Sequence, residues 1–377
     1  MTREMSNVAA IRLGIFGAGA IVRAMYAPSA EAVGIDHLRV VAIADPQQER
    51  SDAIAARFGA RAYRDPYELL QTSEVEAILI ATTIGTHAEL ALAALRAGKH
   101  VLLQKPMATS LEEADAILEA ARAAGLILQC EPPHVLHPYS KRARRDIAAG
   151  LIGRPCLMVA RSAHRGPQDR PWFYHRSEGG SVIFDMGVHA ITWVLGVLGP
   201  VASVTAQMVR SIPERTINGQ QVKPDIEDNA VLILQMRNGA LATVLANYCT
   251  SATQLPAIEV TGEYGTMVID GPMGGYALFR QRIPEIQGVE MDGAWIVPTS
   301  LRGLIARQSP TREQVTADLT QYSSLAYFVR AIERKEEPIA SGEIARHALE
   351  VMLASRRAAE TGIQQTVRSS FDTGRLP

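Results

Sequence analysis

Short, largely apolar runs alternate with helix-like stretches over the first 130 residues, and that rhythm limits the fold more than any other feature of the chain. Ile11–Phe16, Leu38–Ala44, Ala77–Ala81, His100–Leu103 and Leu126–Cys130 read as strands. Gln47–Phe58, His87–Ala97 and Ser110–Ala124 read as helices, with more helical pattern from about Ala20. Gly98 and Gly125 stand where a left-handed residue ends a helix, and Ser110 with Glu113 makes a capping-box pair. Strands this continuously apolar are covered on both faces, which predicts a doubly wound, parallel α/β sheet.

The rhythm changes after about residue 150. Cys156–Ala163, Val201–Val209, Asn229–Met236 and Leu241–Tyr248 read as strands, the last two joined by the turn dipeptide Asn238-Gly239. Ala257–Thr261 and Thr266–Asp270 flank Gly262–Gly265 as a second hairpin. One helix, around Asp185–Leu198, is embedded; Gly271–Pro310 reads as irregular, and Tyr322–Lys335 and Gly342–Thr361 as two closing helices. The second region is therefore an α+β domain with a large open, mostly antiparallel sheet. A chain of 377 residues is long enough to split. The expected boundaries are a dinucleotide-binding domain over 8–131 and a substrate-binding and oligomerisation domain over 132–365.

Composition removes several function classes. A net charge of −1 supplies no basic field for nucleic acid, and 47% hydrophobic with 20% charged residues is the balance of a packed protein. No apolar run reaches a membrane span, and residues 1–10 lack a signal peptide's pattern. Cys130, Cys156 and Cys249 are too scattered for a disulfide framework. The expectation is a soluble cytoplasmic protein with no nucleic-acid or membrane partner.

Chemistry first shows after the opening strand, at Gly17-Ala18-Gly19-Ala20-Ile21-Val22. Gly17 suits a tight turn, Gly19 lets backbone approach a pyrophosphate, and the helix start at Ala20 and Ile21 presents free N–H groups. Val22 breaks the full fingerprint. The second strand ends at Asp45, placed to accept from adenosine ribose hydroxyls and to repel a 2′-phosphate. NAD is thus favoured over NADP, although Arg50 could reach a phosphate. The bland alternatives are an ordinary glycine-rich turn and an Asp that caps before Pro46.

Four stretches in order carry a resemblance: the Gly17–Val22 loop with Asp45; Ala81-Thr82-Thr83-Ile84-Gly85-Thr86-His87; Gly98-Lys99-His100-Val101-Leu102-Leu103-Gln104-Lys105-Pro106; and Gly179-Gly180 followed by Asp185-Met186-Gly187-Val188-His189. Together they resemble the glucose–fructose oxidoreductase / inositol dehydrogenase / MocA family over nearly the whole chain. Three positions depart from its pattern. Gln104 stands for the Glu of its EKP motif, Ser181 for the third Gly of its glycine run, and Glu131–His137 lacks its Asn/Arg segment.

The resemblance implies an N-terminal Rossmann domain, a C-terminal sheet that oligomerises as a homo-dimer or homo-tetramer, and an active site between them. It implies hydride transfer between nicotinamide and a secondary hydroxyl of a sugar or cyclitol. Lys105, Asp185 and His189 become the catalytic candidates: His189 as base, Lys105 to hold the developing oxyanion, Asp185 to orient one of them. Cofactor contacts fall to Gly17, Gly19, Ala20, Ile21, Asp45, Thr82, Thr83, His87, Gln104 and Lys105. The residues alone leave blander readings open: a solvated lysine, Asp185 as a helix cap, and His189 in the core. Arg165, Trp172, Tyr174 and His134 are the substrate candidates, since polyols need donors and flat apolar faces.

Five histidines lie between 134 and 189 (His134, His137, His164, His175, His189), but their spacing matches no familiar ligand pattern, so no metal is expected. Two rival functions share the scaffold. One is a glycoside-cleaving enzyme that keeps NAD bound and shows no net reduction. The other is an NAD-binding sensor without turnover.

Overall fold

A computed structural model of the chain describes residues 10–34, 36–72, 74–270, 275–280 and 323–376. The chain divides into two compact units: Met1–Pro133 with Ser323–Leu349, and His134–Tyr322 with Glu350–Pro377.

The first unit opens with β1 (Ile11–Phe16), a wide π-helical turn at Val22–Tyr26, and α1 (Ala27–Val33). It continues through β2 (Leu38–Ala44), α2 (Gln48–Phe58), β3 (Arg61–Tyr63), α3 (Pro66–Leu70) and β4 (Ala77–Ile80). Next come α4 (His87–Arg96), β5 (His100–Leu103), α5 (Leu111–Ala124) and β6 (Leu128–Cys130). All six strands run parallel in the order β3-β2-β1-β4-β5-β6. The order reverses between β1 and β4, the switch point where doubly wound sheets bind ligands at the strands' carboxyl ends. The capping box at Ser110 and Glu113 forms as its residue types predict. β3 and α3, too short for periodicity to reveal, fill the interval between α2 and β4.

The core of this sheet joins Leu13, Ile15, Val40, Ile43, Leu79 and Leu102 to Leu325, Phe328 and Val329 from the returning segment. Burying each large side chain is worth about 1.5–3 kcal/mol, so the late segment is part of what holds the nucleotide fold together.

The second unit contains α6 (Pro138–Ala148), β7 (Pro155–Ala163), α7 (Val188–Leu198), β8 (Val201–Val209), β9 (Arg215–Ile217) and β10 (Gln220–Val222). Then follow β11 (Asn229–Met236), β12 (Leu241–Asn247), β13 (Ile258–Gly262), β14 (Gly265–Ile269) and β15 (Tyr276–Arg280). Helix α8 (Ser324–Arg334) belongs to the first unit; α9 (Gly342–Thr361) starts in the first and ends in the second, ahead of β16 (Gln365–Thr366). The sheet runs β15-β14-β13-β7-β12-β11-β8-β16. Its pairings are antiparallel except β7 with β12. On β11 Ala230, Leu232 and Leu234 are buried while Val231 and Ile233 between them are exposed, the alternation of a sheet covered on one face.

Two local expectations need correction. The embedded helix does not run evenly from Asp185: Ile183–Gly187 is a π-helical turn and α7 begins at Val188. Tyr276–Arg280 is a strand inside the stretch expected to be irregular; it pairs antiparallel with β14, and the glycines before it hid the pattern. The rest of that stretch, at 271–274 and 281–310, lies outside the described residues, as does Tyr322. The hairpin expected at Asn238-Gly239 forms; only the glycine has a positive φ, and the loop between Met236 and Ala240 has three residues.

Candidate active site

The first unit gathers its candidates behind the carboxyl ends of adjacent strands. Gly17 leaves β1 with φ +89°, and a Cβ there would strike the Ala81 carbonyl, so the turn demands glycine. A Cβ on Gly19 would meet nothing within 4 Å, which leaves open backbone ahead of the helix that Ala20 and Ile21 begin. Asp45, buried at the end of β2, accepts from Ala18 N–H at 2.8 Å through Oδ2 and from Gln47 N–H at 2.9 Å through Oδ1. Its carboxylate therefore ties the glycine loop to the second strand and closes a turn just ahead of α2. A carboxylate has about four acceptor positions, so two such bonds leave capacity for ribose hydroxyls. Open backbone, a helix start and a strand-end carboxylate together fit the pyrophosphate and ribose of NAD.

Thr82 and Thr83 follow β4, and Thr86 Oγ1 binds both Thr82 Oγ1 (2.8 Å) and the Thr83 carbonyl (2.9 Å). His87 is buried, with Nδ1 at 2.8 Å from the Pro106 carbonyl and Nε2 at 3.3 Å from that of Thr82. Burial holds this imidazole below its ordinary pKa, as does the nearby Lys105 charge. His87 thus laces the loop after β4 to the loop carrying Lys105.

Gln104 and Lys105 follow β5. Gln104 Nε2 donates to Tyr26 Oη (2.7 Å), Tyr26 Oη donates to Glu131 Oε1 (2.9 Å), and Gln104 Oε1 accepts from Lys105 N–H (3.0 Å). Burial raises the Glu131 pKa, opposed by bonds from Ser324 and Tyr26 and by the Lys105 charge. The Tyr26 phenol lies well above its ordinary value, from burial and the Glu131 carboxylate. Neither Tyr26 nor Glu131 was among the candidates. A carboxyl following β6 was the available signal, since Glu131 holds the same strand-end position there as Asp45 does after β2.

The second unit places Asp185 in the π-helical turn and His189 in the first turn of α7. Asp185 Oδ2 accepts from Tyr248 Oη at 2.7 Å, and burial followed by the Asp185 charge lifts that phenol well above its ordinary pKa. His189 Nδ1 lies 3.0 Å from His134 Nε2. Ser181 takes the third glycine's place for a visible reason: its Oγ accepts from Phe184 N–H and from Arg356, pinning the turn.

Arg165 lines a cleft of about 220 Å³ with Gln168, Glu214, Arg215, Tyr248 and Ser251. Trp172 stacks on Phe173, ring centres 3.9 Å apart. Tyr174 is fully buried; its hydroxyl donates to the Pro167 carbonyl and its ring meets Tyr248 edge-on. Arg215, which was not a candidate, lies over Tyr174 and pairs with buried Asp228 at 2.7 Å. The missed signal was Asn218-Gly219: both residues have positive φ, and they close the β9–β10 ribbon that carries Arg215. Among the described residues no group of three or more His, Cys, Asp or Glu could hold a metal ion, and no helix is long and apolar enough to cross a membrane.

Residues 11–131 match the family model described as "Oxidoreductase family, NAD-binding Rossmann fold", and residues 140–268 match "GFO/IDH/MocA C-terminal domain". The chain belongs to the glucose–fructose oxidoreductase / inositol dehydrogenase / MocA family. Among its relatives is 1,5-anhydro-D-fructose reductase of Ensifer adhaerens, 29% identical over 355 residues (93% of this chain, 97% of that protein). Inositol 2-dehydrogenase 4 of Saccharopolyspora erythraea is 31% identical over 275 residues (70% and 75%). The fold matches an oxidoreductase domain protein of Kribbella flavida with a TM-score of 0.79, at 22% identity, over 96% of this chain and all of that one.

Proposed function

We propose that this chain is an NAD-dependent dehydrogenase that oxidises a secondary hydroxyl of a sugar, sugar derivative or cyclitol, or reduces the matching ketone. The observation that carries the reading is the arrangement after β1, β2, β4 and β5, where the glycine loop, Asp45, Thr82 with Thr83, and Lys105 occupy successive strand ends of a fold matched as NAD-binding. Bound there, NAD supplies hydride acceptance. Gly17 to Ile21 would hold its pyrophosphate, Asp45 its adenosine ribose, and Gln104, which stands where the family carries a carboxylate, its nicotinamide ribose.

The protein's own groups handle the proton and the oxygen. In this reading His189 removes the hydroxyl proton, Lys105 stabilises the oxyanion, and Asp185, itself held by Tyr248, orients one of them. Arg165, Trp172 and Tyr174 contribute a donor and flat faces for a polyhydroxylated ring, the Tyr174 ring being itself buried. The exposed sheet face bearing Leu157, Val231, Ile233 and Leu241 is the surface through which we expect a homo-dimer or homo-tetramer to form. The reading is tested by a panel of sugars and cyclitols with NAD and NADP, followed by nicotinamide absorbance. NAD-preferring turnover of at least one cyclic polyol is expected. Aglycone release from a glycoside without accumulation of reduced cofactor would replace it with the glycoside-cleaving activity.

A further inference from the structure

We propose that His134 is the positioning and proton-relay partner of His189, fixing which ring nitrogen of His189 carries hydrogen and receiving the proton that His189 removes. The inference rests on the dehydrogenase reading above and lies wholly within the second unit.

The local fold is built to bring these two rings together. His189, Trp193 and Gly196 recur at spacings of four and three along α7, so they share one face. Against that face lies the short turn His134–Leu136. A Cβ on Gly196 would sit 3.1 Å from Val135 Cα and 3.4 Å from Val135 N, so glycine is what allows the turn to approach. Arg144 clamps the turn to the helix, donating to the Val135 and Gly196 carbonyls, and Ser140 Oγ donates to the His134 carbonyl at 2.7 Å. The His134 ring then stacks on Trp193 (centroids 5.2 Å, planes 18° apart) with Nε2 3.0 Å from His189 Nδ1.

A neutral imidazole has one N–H and one lone pair. If His189 Nδ1–H donates to His134 Nε2, the lone pair of His189 falls on Nε2, the nitrogen we assign to the substrate hydroxyl. The opposite arrangement puts hydrogen on that nitrogen and abolishes the base. During oxidation the substrate O–H breaks, and its proton goes to His189 Nε2. The Nδ1 proton then passes to His134 Nε2, while the carbinol hydride leaves for nicotinamide. The positive charge thus comes to rest on a ring stacked on indole, a favourable place for a cation. The other titratable and charged groups near the pair in this unit include Asp185 in the π-helical turn before α7, Tyr248 bound to it, His137 directly after the His134–Leu136 turn, and Arg144 on α6.

The test uses the full chain with ¹⁵N-labelled histidine, read by long-range ¹H–¹⁵N NMR without cofactor, alongside kcat and NAD affinity. Wild type should show His189 protonated on Nδ1. His134→Phe should move that hydrogen to Nε2 and lower kcat by about 10²–10⁴. His134→Gln, whose amide oxygen still accepts but cannot take a proton, should keep the Nδ1–H form while kcat falls and its pH profile changes shape. NAD affinity should hold in both. A wild-type His189 protonated on Nε2, an unchanged tautomer in His134→Phe, or full kcat in His134→Gln would overturn the proposal. If His134→Phe does not fold, the Gln variant decides. If wild type turns over no polyol, the dehydrogenase reading fails, while the tautomer still decides the geometry.

Discussion

The two units build their chemistry in different ways. The first leans mainly on backbone: a glycine turn after β1, loops after β4 and β5, and a carboxylate that holds the turn through an N–H, with the Gln104, Tyr26 and Glu131 side chains joined beside them. The second uses side chains brought together over long sequence distances, Asp185 with Tyr248, His134 with His189, and Arg215 with Asp228. The contrast suits the division of labour. A cofactor with a fixed shape can be cradled by main-chain amides. A proton must be held at a chosen nitrogen, which takes side chains whose rotamers are locked by neighbours.

Perturbing each unit separately should sharpen that division or break it. The largest effect is expected from His189→Ala, with kcat falling by about two to four orders of magnitude and NAD affinity nearly unchanged. Loss of NAD binding in stopped-flow fluorescence would instead give His189 a structural role. Next is Asp228→Ala, which strands the Arg215 cation and leaves the N–H groups of Ser211 and Ile212 without their acceptor. Removing one partner of a buried pair costs about 3–5 kcal/mol, a clear drop in the chemical-denaturation midpoint.

Asp45→Ala should mirror His189→Ala. Hydrogen bonds to charged groups are worth about 1.5–3 kcal/mol, so NAD affinity should weaken roughly ten- to a hundredfold and selectivity should relax towards NADP, with kcat at saturation little altered. An unchanged cofactor preference would remove the ribose assignment.

The smallest effect concerns pH. The folded state raises Glu131 above its ordinary 4.5, so stability tied to this group is full below that value and is lost as pH climbs through the folded pKa. Glu131→Gln should flatten melting temperature against pH on the alkaline side of 4.5. His87 acts oppositely: its folded pKa lies below 6.5, so its contribution is present above 6.5 and disappears as pH falls through the folded value. An acid limb below 6.5 that survives in Glu131→Gln is therefore expected.

Much of the first unit was legible because its signals are local. Leu38–Ala44 is apolar apart from Arg39, Ser110 and Glu113 are three residues apart, and Gly17, Asp45 and Lys105 each follow a strand that such runs define. The second unit was legible as strands and hairpins but much less so as a site. No spacing rule joins Asp185 to Tyr248 across 63 residues, or His134 to His189 across 55. The π-helical turn at Ile183–Gly187 also escaped, because its five residues have no hydrophobic period of their own. Glu131 was visible as a residue, but its bond to Tyr26 spans 105 positions and exists only after the sheet has formed.

The account turns on direct transfer of a carbinol hydrogen to nicotinamide. A cyclic polyol from the substrate panel, deuterated at the oxidised carbon, measures this when incubated with the protein and NAD and the reduced cofactor is read by mass spectrometry. Reduced nicotinamide carrying one deuterium is the predicted result, and reduced nicotinamide without it, or none formed from any polyol tried, would contradict the account.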